Sequence, residues 1–409
     1  CDKKVRILKF SLALTAIIGL GACSQKNEEP AGAGTGNSFT TDVDPAAQHK
    51  ATLSAWELGT ISLQAAADEA LALQHSIDDL LQKNTQPALD QARQQWHTSH
   101  NRYREAAIFL VIGESNPGLF GHLQTLNANL DAWPIMPGFL DSFDVYTQSG
   151  IVNDITVPLN ADAIRQQHGF TDDSEVTLGY HAIAYLLWGE GGKRPLTDLL
   201  AQDQIYKPTA RDGSGELEKT EIGLADRPQN RRRTLLKLQA QLLADDALLL
   251  LQHWQFPNGK LNKQYRALST GSRIELLQQA AGHLLQNRIL PLFEQTHPGQ
   301  LEVPGDVGTA PDAPKETALN FDIAHNRFAG GTQAMAISAL KGMDALFSEP
   351  ALASSLIRDS QRIEWQRILS ELNTRLKETE GPGDLSPLIS QLQALLEPEF
   401  SGDIHPGQE

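Results

Sequence analysis

The run Leu178-Gly-Tyr-His-Ala-Ile-Ala-Tyr-Leu-Leu-Trp-Gly189 constrains this chain more than any other stretch. Wound at 3.6 residues per turn it leaves almost no polar face, and a helix of that kind belongs inside a protein. Gly179 stands where the helix would begin, and Gly189, Gly191 and Gly192 stand where it would stop. His181 is then a polar ring held in a core, and a buried polar group needs a partner. What His181 holds decides most of the functional question.

Around that run the apolar spacing is helical. Trp56, Leu63, Leu71, Ile77, Leu80 and Leu81 recur near multiples of 3.6 in an Ala/Leu/Gln-rich stretch that begins about Lys50 and breaks at Asn84–Pro87. A second helix starts at Pro87, a favoured first-turn residue, and carries Leu89, Ala92, Trp96, Tyr103 and Ala106. Residues 113–157 are punctuated by proline, glycine and Asn-Asp, which predicts short helices and ordered turns. Irregular segments of that length are often functional. Residues 190–229 are loop-like and offer the best boundary. Beyond them a long helix opens at Arg231-Arg-Arg233, expected to be a solvated first turn. Further helices are expected over about 274–292, 321–347 (weakened at Gly330-Gly331), 357–376 and 388–396. Strand-like alternation is scarce. The expected fold is all-α, with two four-helix-bundle-like domains at 49–225 and 226–400 and the irregular segment in the first.

The start of the chain reads as an export signal. Lys3, Lys4, Arg6 and Lys9 form a basic region, and Phe10 to Leu20 form an apolar region too short to span a bilayer. The sequence Leu20-Gly-Ala-Cys23 resembles the lipobox of bacterial lipoproteins. That resemblance implies a signal peptide over residues 1–22, lipid on Cys23 and a flexible tether over 23–48. Ser24 follows the cysteine where an inner-membrane retention signal would have Asp, so an outer-membrane anchor is expected, on its periplasmic or surface face.

The formal charge is −16, and the basic leader masks a still more acidic remainder. Such a chain is a poor nucleic-acid binder and suits cationic partners, metals included. Its two cysteines, Cys1 and Cys23, leave no room for a disulfide or thiol catalysis in the folded part. There is no Gly-x-Ser-x-Gly, His-Glu-x-x-His, phosphate-cradling loop or Cys-x-x-Cys.

Several segments, in order, carry a family resemblance. They are Trp96 with Tyr103, Ala132-Trp-Pro-Ile135 with Phe139-Leu-Asp141, and Gly150-Ile-Val-Asn-Asp154. Gly179-Tyr-His-Ala-Ile with Leu186-Leu-Trp-Gly189 follows, then Arg231–Arg233, then Asn320-Phe-Asp322 with Asn326. Over about residues 50–400 the chain resembles the imelysin-like family, which includes iron-regulated envelope proteins and takes its name from an insulin-cleaving membrane protease. The resemblance implies two bundle-like domains with a Gly-x-His-x-x-Glu helix near their junction, a motif read as part of a metal site. Here the positions are Gly179, His181 and Ala184, so the glutamate is missing. Glu190, nine residues from His181, falls on nearly the opposite helix face.

His181 is therefore expected to need a carboxylate from elsewhere, with Glu316 and Asp322 as the metal-ligand candidates. Gly179, Tyr180, Trp133, Asp141, Asn320, His325 and Asn326 complete the expected cleft. The favoured role is a non-enzymatic component of iron or other divalent-metal uptake, binding a metal-containing ligand or an envelope partner protein. A metallopeptidase, or a structural lipoprotein with a degenerate site, are the alternatives.

Overall fold

The structure, a computed structural model, describes residues 44–143, 145–203, 223–294, 326–378 and 382–396. The expected leader, Cys23, Glu316, Asn320, Asp322 and His325 lie outside the described residues. Among the described residues the regular structure is helical and no strand forms. None of those helices is long and apolar enough to cross a membrane.

Helix α1 runs Pro45–Lys83 and α2 runs Gln86–Glu105. The Asp44 carboxylate caps α1 by accepting from the Ala46 N–H, and Pro45 opens its first turn. The helix thus begins inside the stretch expected to be tether. Asn84, at φ 53°, closes it in the left-handed conformation. Helix α3 runs Pro117–Ala128, α4 is the apolar run Gly179–Trp188, and α5 runs Pro228–Gln255. Between α2 and α4 the chain makes only short helices and turns, as its proline and glycine content predicts.

The second half adds α6 (Lys260–Ala267), α7 (Thr270–His283), α8 (Thr332–Phe347), α9 (Pro350–Leu356), α10 (Arg362–Arg375) and α11 (Ser386–Leu396). Helix α6 had no counterpart in the sequence reading. Over the described residues 326–347 of the helix expected from residue 321, the helix begins at Thr332, after Gly330 and Gly331 take φ of 71° and 85°. The helix expected over 357–376 begins only at Arg362, since Ile357 is extended after α9.

Residues from Val43 onward fall in one compact unit. Helix α1 packs on both α2 and α5, elements from either side of the boundary expected near residue 225. Trp56 of α1 and Trp254 of α5 stack at 3.7 Å, and each indole N–H donates to the other residue's carbonyl, at 3.2 and 3.1 Å. This pairing joins large apolar area to satisfied polar edges.

The arginine run corrects the sequence reading most clearly. Arg231 and Arg232 are buried, not solvated. Arg231 donates to the carbonyls of Ile151, Val152, Asp154 and Val157. An irregular segment leaves carbonyls that no ladder satisfies, and buried carbonyls need donors. One guanidinium supplies them here. Arg232 binds the Asp141 carboxylate through two nitrogens, at 2.6 and 2.9 Å, and Arg194 adds a third contact at 2.8 Å. Arg233 bonds the Asn84 side chain and the Leu199 carbonyl.

Candidate metal centre

Helix α4 is buried along its whole length, including His181, which is 1% exposed. Its N-terminus is fixed from two sides. The Trp96 indole N–H on α2 donates to the Tyr180 carbonyl at 2.9 Å, and the Tyr180 hydroxyl meets Ser99 Oγ at 2.9 Å. On the other side the Tyr180 N–H donates to the Leu130 carbonyl, in the turn after α3. Gly179 permits that approach: it sits at φ 84°, and a Cβ there would lie 2.4 Å from the Leu130 oxygen.

These contacts bring three ligand-type side chains together. His181 Nε2 and His100 Nε2 each lie 3.0 Å from the same oxygen, Oδ1 of Asp131. His100 comes from α2, Asp131 from the turn after α3 and His181 from α4. Their ligand atoms all lie within 4.8 Å of one another. The other Asp131 oxygen accepts from Arg104 Nη1 at 2.9 Å. Trp133 closes over the His181 ring at 4.9 Å between centroids, and the Trp133 ring meets Phe328 at 6.5 Å.

The environment sets the charge state. Burial pushes the Asp131 carboxyl up, but hydrogen bonds from His100 and His181 outweigh it and hold the group well below its usual 3.8. Burial pushes the His100 ring down to about 4 against the pull of Asp131. Asp131 is thus a carboxylate and His100 a neutral imidazole at neutral pH, which are the forms that ligate metals.

A cavity of about 540 Å³ opens beside the cluster. Tyr103, Arg104, Asp131, Trp133, His168 and Arg288 are among its lining residues. Arg288, from the second half of the chain, binds Glu114 in the same wall, as does His283 at 2.8 Å. The two cluster histidines stand behind this wall, so the cavity reaches the centre through Asp131.

The carboxylate that the sequence motif lacks is thus supplied by Asp131. Ala184 is buried in the middle of α4. Glu190 faces Arg327 at 3.7 Å. Of the other expected cleft residues, Asp141 is not with His181 but in its own buried cluster with Arg194 and Arg232. Asn326 is buried with its side-chain amide 3.6 Å from Met335 Sδ.

A family model described as imelysin matches residues 60–397, and several of the residues just described fall in the matched span. The chain belongs to the imelysin family. Its fold is shared with solved structures at low identity. An imelysin-like protein from Psychrobacter arcticum 273-4 has a TM-score of 0.50 and 13% identity, covering 87% of this chain and 94% of that one. A putative iron-regulated protein A precursor from Parabacteroides distasonis ATCC 8503 has a TM-score of 0.55 and 13% identity, covering 88% and 95%. No curated protein matches the sequence. In this imelysin-family chain the histidine helix is the wall against which His100 and Asp131 are set.

Proposed function

We propose that this imelysin-family protein is a lipid-anchored envelope component of iron or other divalent-metal uptake. It binds a metal ion, or a metal-containing ligand, at His100, Asp131 and His181, and catalyses no reaction. The observation that carries this reading is the convergence of two imidazole nitrogens and a carboxylate from three separate segments. That donor set suits Fe²⁺, Zn²⁺ or a similar ion better than Mg²⁺ or Ca²⁺. Ligands at right angles, each about 2.1 Å from an octahedral ion, stand about 3.0 Å apart, the spacing of each histidine from Asp131. Each ring takes the metal through Nε2 as the neutral tautomer that carries its proton on Nδ1.

Other observations support parts of the reading. The lipobox-like Leu20–Cys23 supports the anchor, and Ser24 after it supports the outer membrane. The −16 charge favours a cationic ligand over nucleic acid. One solved relative carries an iron-regulated name. Hydrolysis is left out because Glu114, the cavity carboxylate best placed to act as a base, is committed to His283 and Arg288. Their bonds outweigh its burial and keep its carboxyl below the usual 4.5.

Arg104 favours a second reading. It already neutralises Asp131 in the interior, so the cluster would serve as a hydrogen-bonded lock between α2, α4 and the turn at Asp131. Equilibrium dialysis of the full chain against Fe²⁺, Zn²⁺, Cu²⁺ and haem separates the two. The metal reading predicts one saturable equivalent that His100→Ala and His181→Ala each remove. Variants that keep every equivalent the parent binds and lose only stability would establish the lock.

A further inference from the structure

A second pair of imidazoles lies outside the buried cluster. His122 on α3 is exposed and His253, in the last turn of α5, is half-buried. His122 Nε2 stands 3.4 Å from His253 Nδ1, with the rings 4.8 Å apart and edge to face at 74°. Neither ring has another hydrogen-bond partner among the described residues. Helices α3 and α5 pack against each other, and the residues beside the pair, Leu123 and Trp254, are buried. The backbone under both rings is therefore fixed, and their spacing is set by the core.

The spacing is informative. A hydrogen bond between neutral groups is best near 3.0 Å, so 3.4 Å is loose for a shared proton. Two nitrogen ligands each about 2.05 Å from a tetrahedral ion stand about 3.4 Å apart. We infer that His122 and His253 form a surface site for an imidazole-seeking transition-metal dication, of the Zn²⁺, Ni²⁺ or Cu²⁺ class, with water completing the coordination. His253 also borders a surface cavity of about 550 Å³ with Gln252 and Phe256, which gives those waters room. Hard ions such as Mg²⁺ prefer oxygen and are excluded by the donor set.

The site is independent of the buried cluster, and the test keeps them apart. Zn²⁺ alone is titrated calorimetrically into the full chain and into His122→Ala and His253→Ala, with Mg²⁺ as control. Both positions are at the surface, so the variants keep the fold. The expected result is one fewer zinc equivalent in each variant, or a weakening of that equivalent by about tenfold or more. Zinc should also raise the parent's unfolding temperature further than either variant's, since the ion ties α3 to α5. Equal stoichiometry and affinity in parent and both variants would overturn the proposal. So would Mg²⁺ taking the same equivalent. If the buried cluster binds no metal, the parent still binds one zinc and the variants bind none.

Discussion

The backbone N–H of Tyr180 donates to the carbonyl of Leu130 at 2.9 Å, which ties the first turn of α4 to the residue before Asp131. That bond sets the reach of His181 to the carboxylate. Gly179 makes it possible, since any side chain there meets the Leu130 oxygen and must also hold a left-handed φ. Gly179→Ala is expected to destabilise the fold by about 2 kcal/mol or more. It should also weaken metal binding as the turn moves away. Urea unfolding that matches the parent would contradict this role for the glycine.

Much of this arrangement was legible in the sequence, and the part that was not has a physical reason. An all-apolar run with one histidine, bounded by glycines, identifies a buried helix and its odd polar group without reference to anything else. Trp133, Gly179 and Tyr180 were readable as neighbours of that histidine, and they are. His100 and Asp131 were not, because pairings across 81 and 50 residues leave no local spacing to detect. One hint was available: His100 sits four residues after Trp96, on the face of α2 that also carries Tyr103. The arginine run misled for a related reason. Three adjacent arginines look solvated until an irregular segment, full of carbonyls without ladder partners, is laid against them.

Arg104 stands in the place of a cation. Its guanidinium neutralises Asp131 from the far side, and a bound dication would face that charge in a low-dielectric interior. Arg104→Gln keeps a hydrogen-bond donor and removes the charge. We expect metal affinity to rise by about tenfold while the protein without metal becomes less stable. A fall in affinity would mean that Arg104 supports the centre instead of competing with it.

Stability should fall on the acid side of neutrality. Burial pushes His97, His100 and His168 below their usual 6.5, and Thr177 N–H donates to His168 Nδ1, which requires that nitrogen unprotonated. Groups whose folded pKa is depressed favour folding fully above 6.5 and lose that contribution as the pH drops. For His100 the loss spans about pH 6.5 to 4 and is on the order of 3 kcal/mol. Asp131 and Asp141, held low in the fold, add a further loss below their usual 3.8. Denaturant unfolding at pH 7.5 and 5 should show the first decline, and His168→Gln should reduce its slope. Equal stability at the two pH values would contradict the neutral, buried assignment of these rings.

Asp141 has a structural task separate from the proposed metal centre. Three guanidinium contacts from Arg194 and Arg232 hold a carboxylate that is fully buried. Removing one member of such a cluster leaves charge uncompensated. Asp141→Asn is expected to cost about 3 kcal/mol or more, read by chemical denaturation. Metal affinity of the folded fraction should stay unchanged. A stable variant that had lost metal would place Asp141 at the centre after all.

The most direct measurement is X-ray absorption at the metal edge of the iron- or zinc-loaded full chain, repeated on His122→Ala to remove the surface pair. The account predicts, in His122→Ala, two imidazole nitrogens and one carboxylate oxygen about 2.0–2.2 Å from the ion, with the imidazole signal lost when His100→Ala or His181→Ala is added. A spectrum from His122→Ala that shows only water and carboxylate oxygens, unchanged by either of those substitutions, would contradict it.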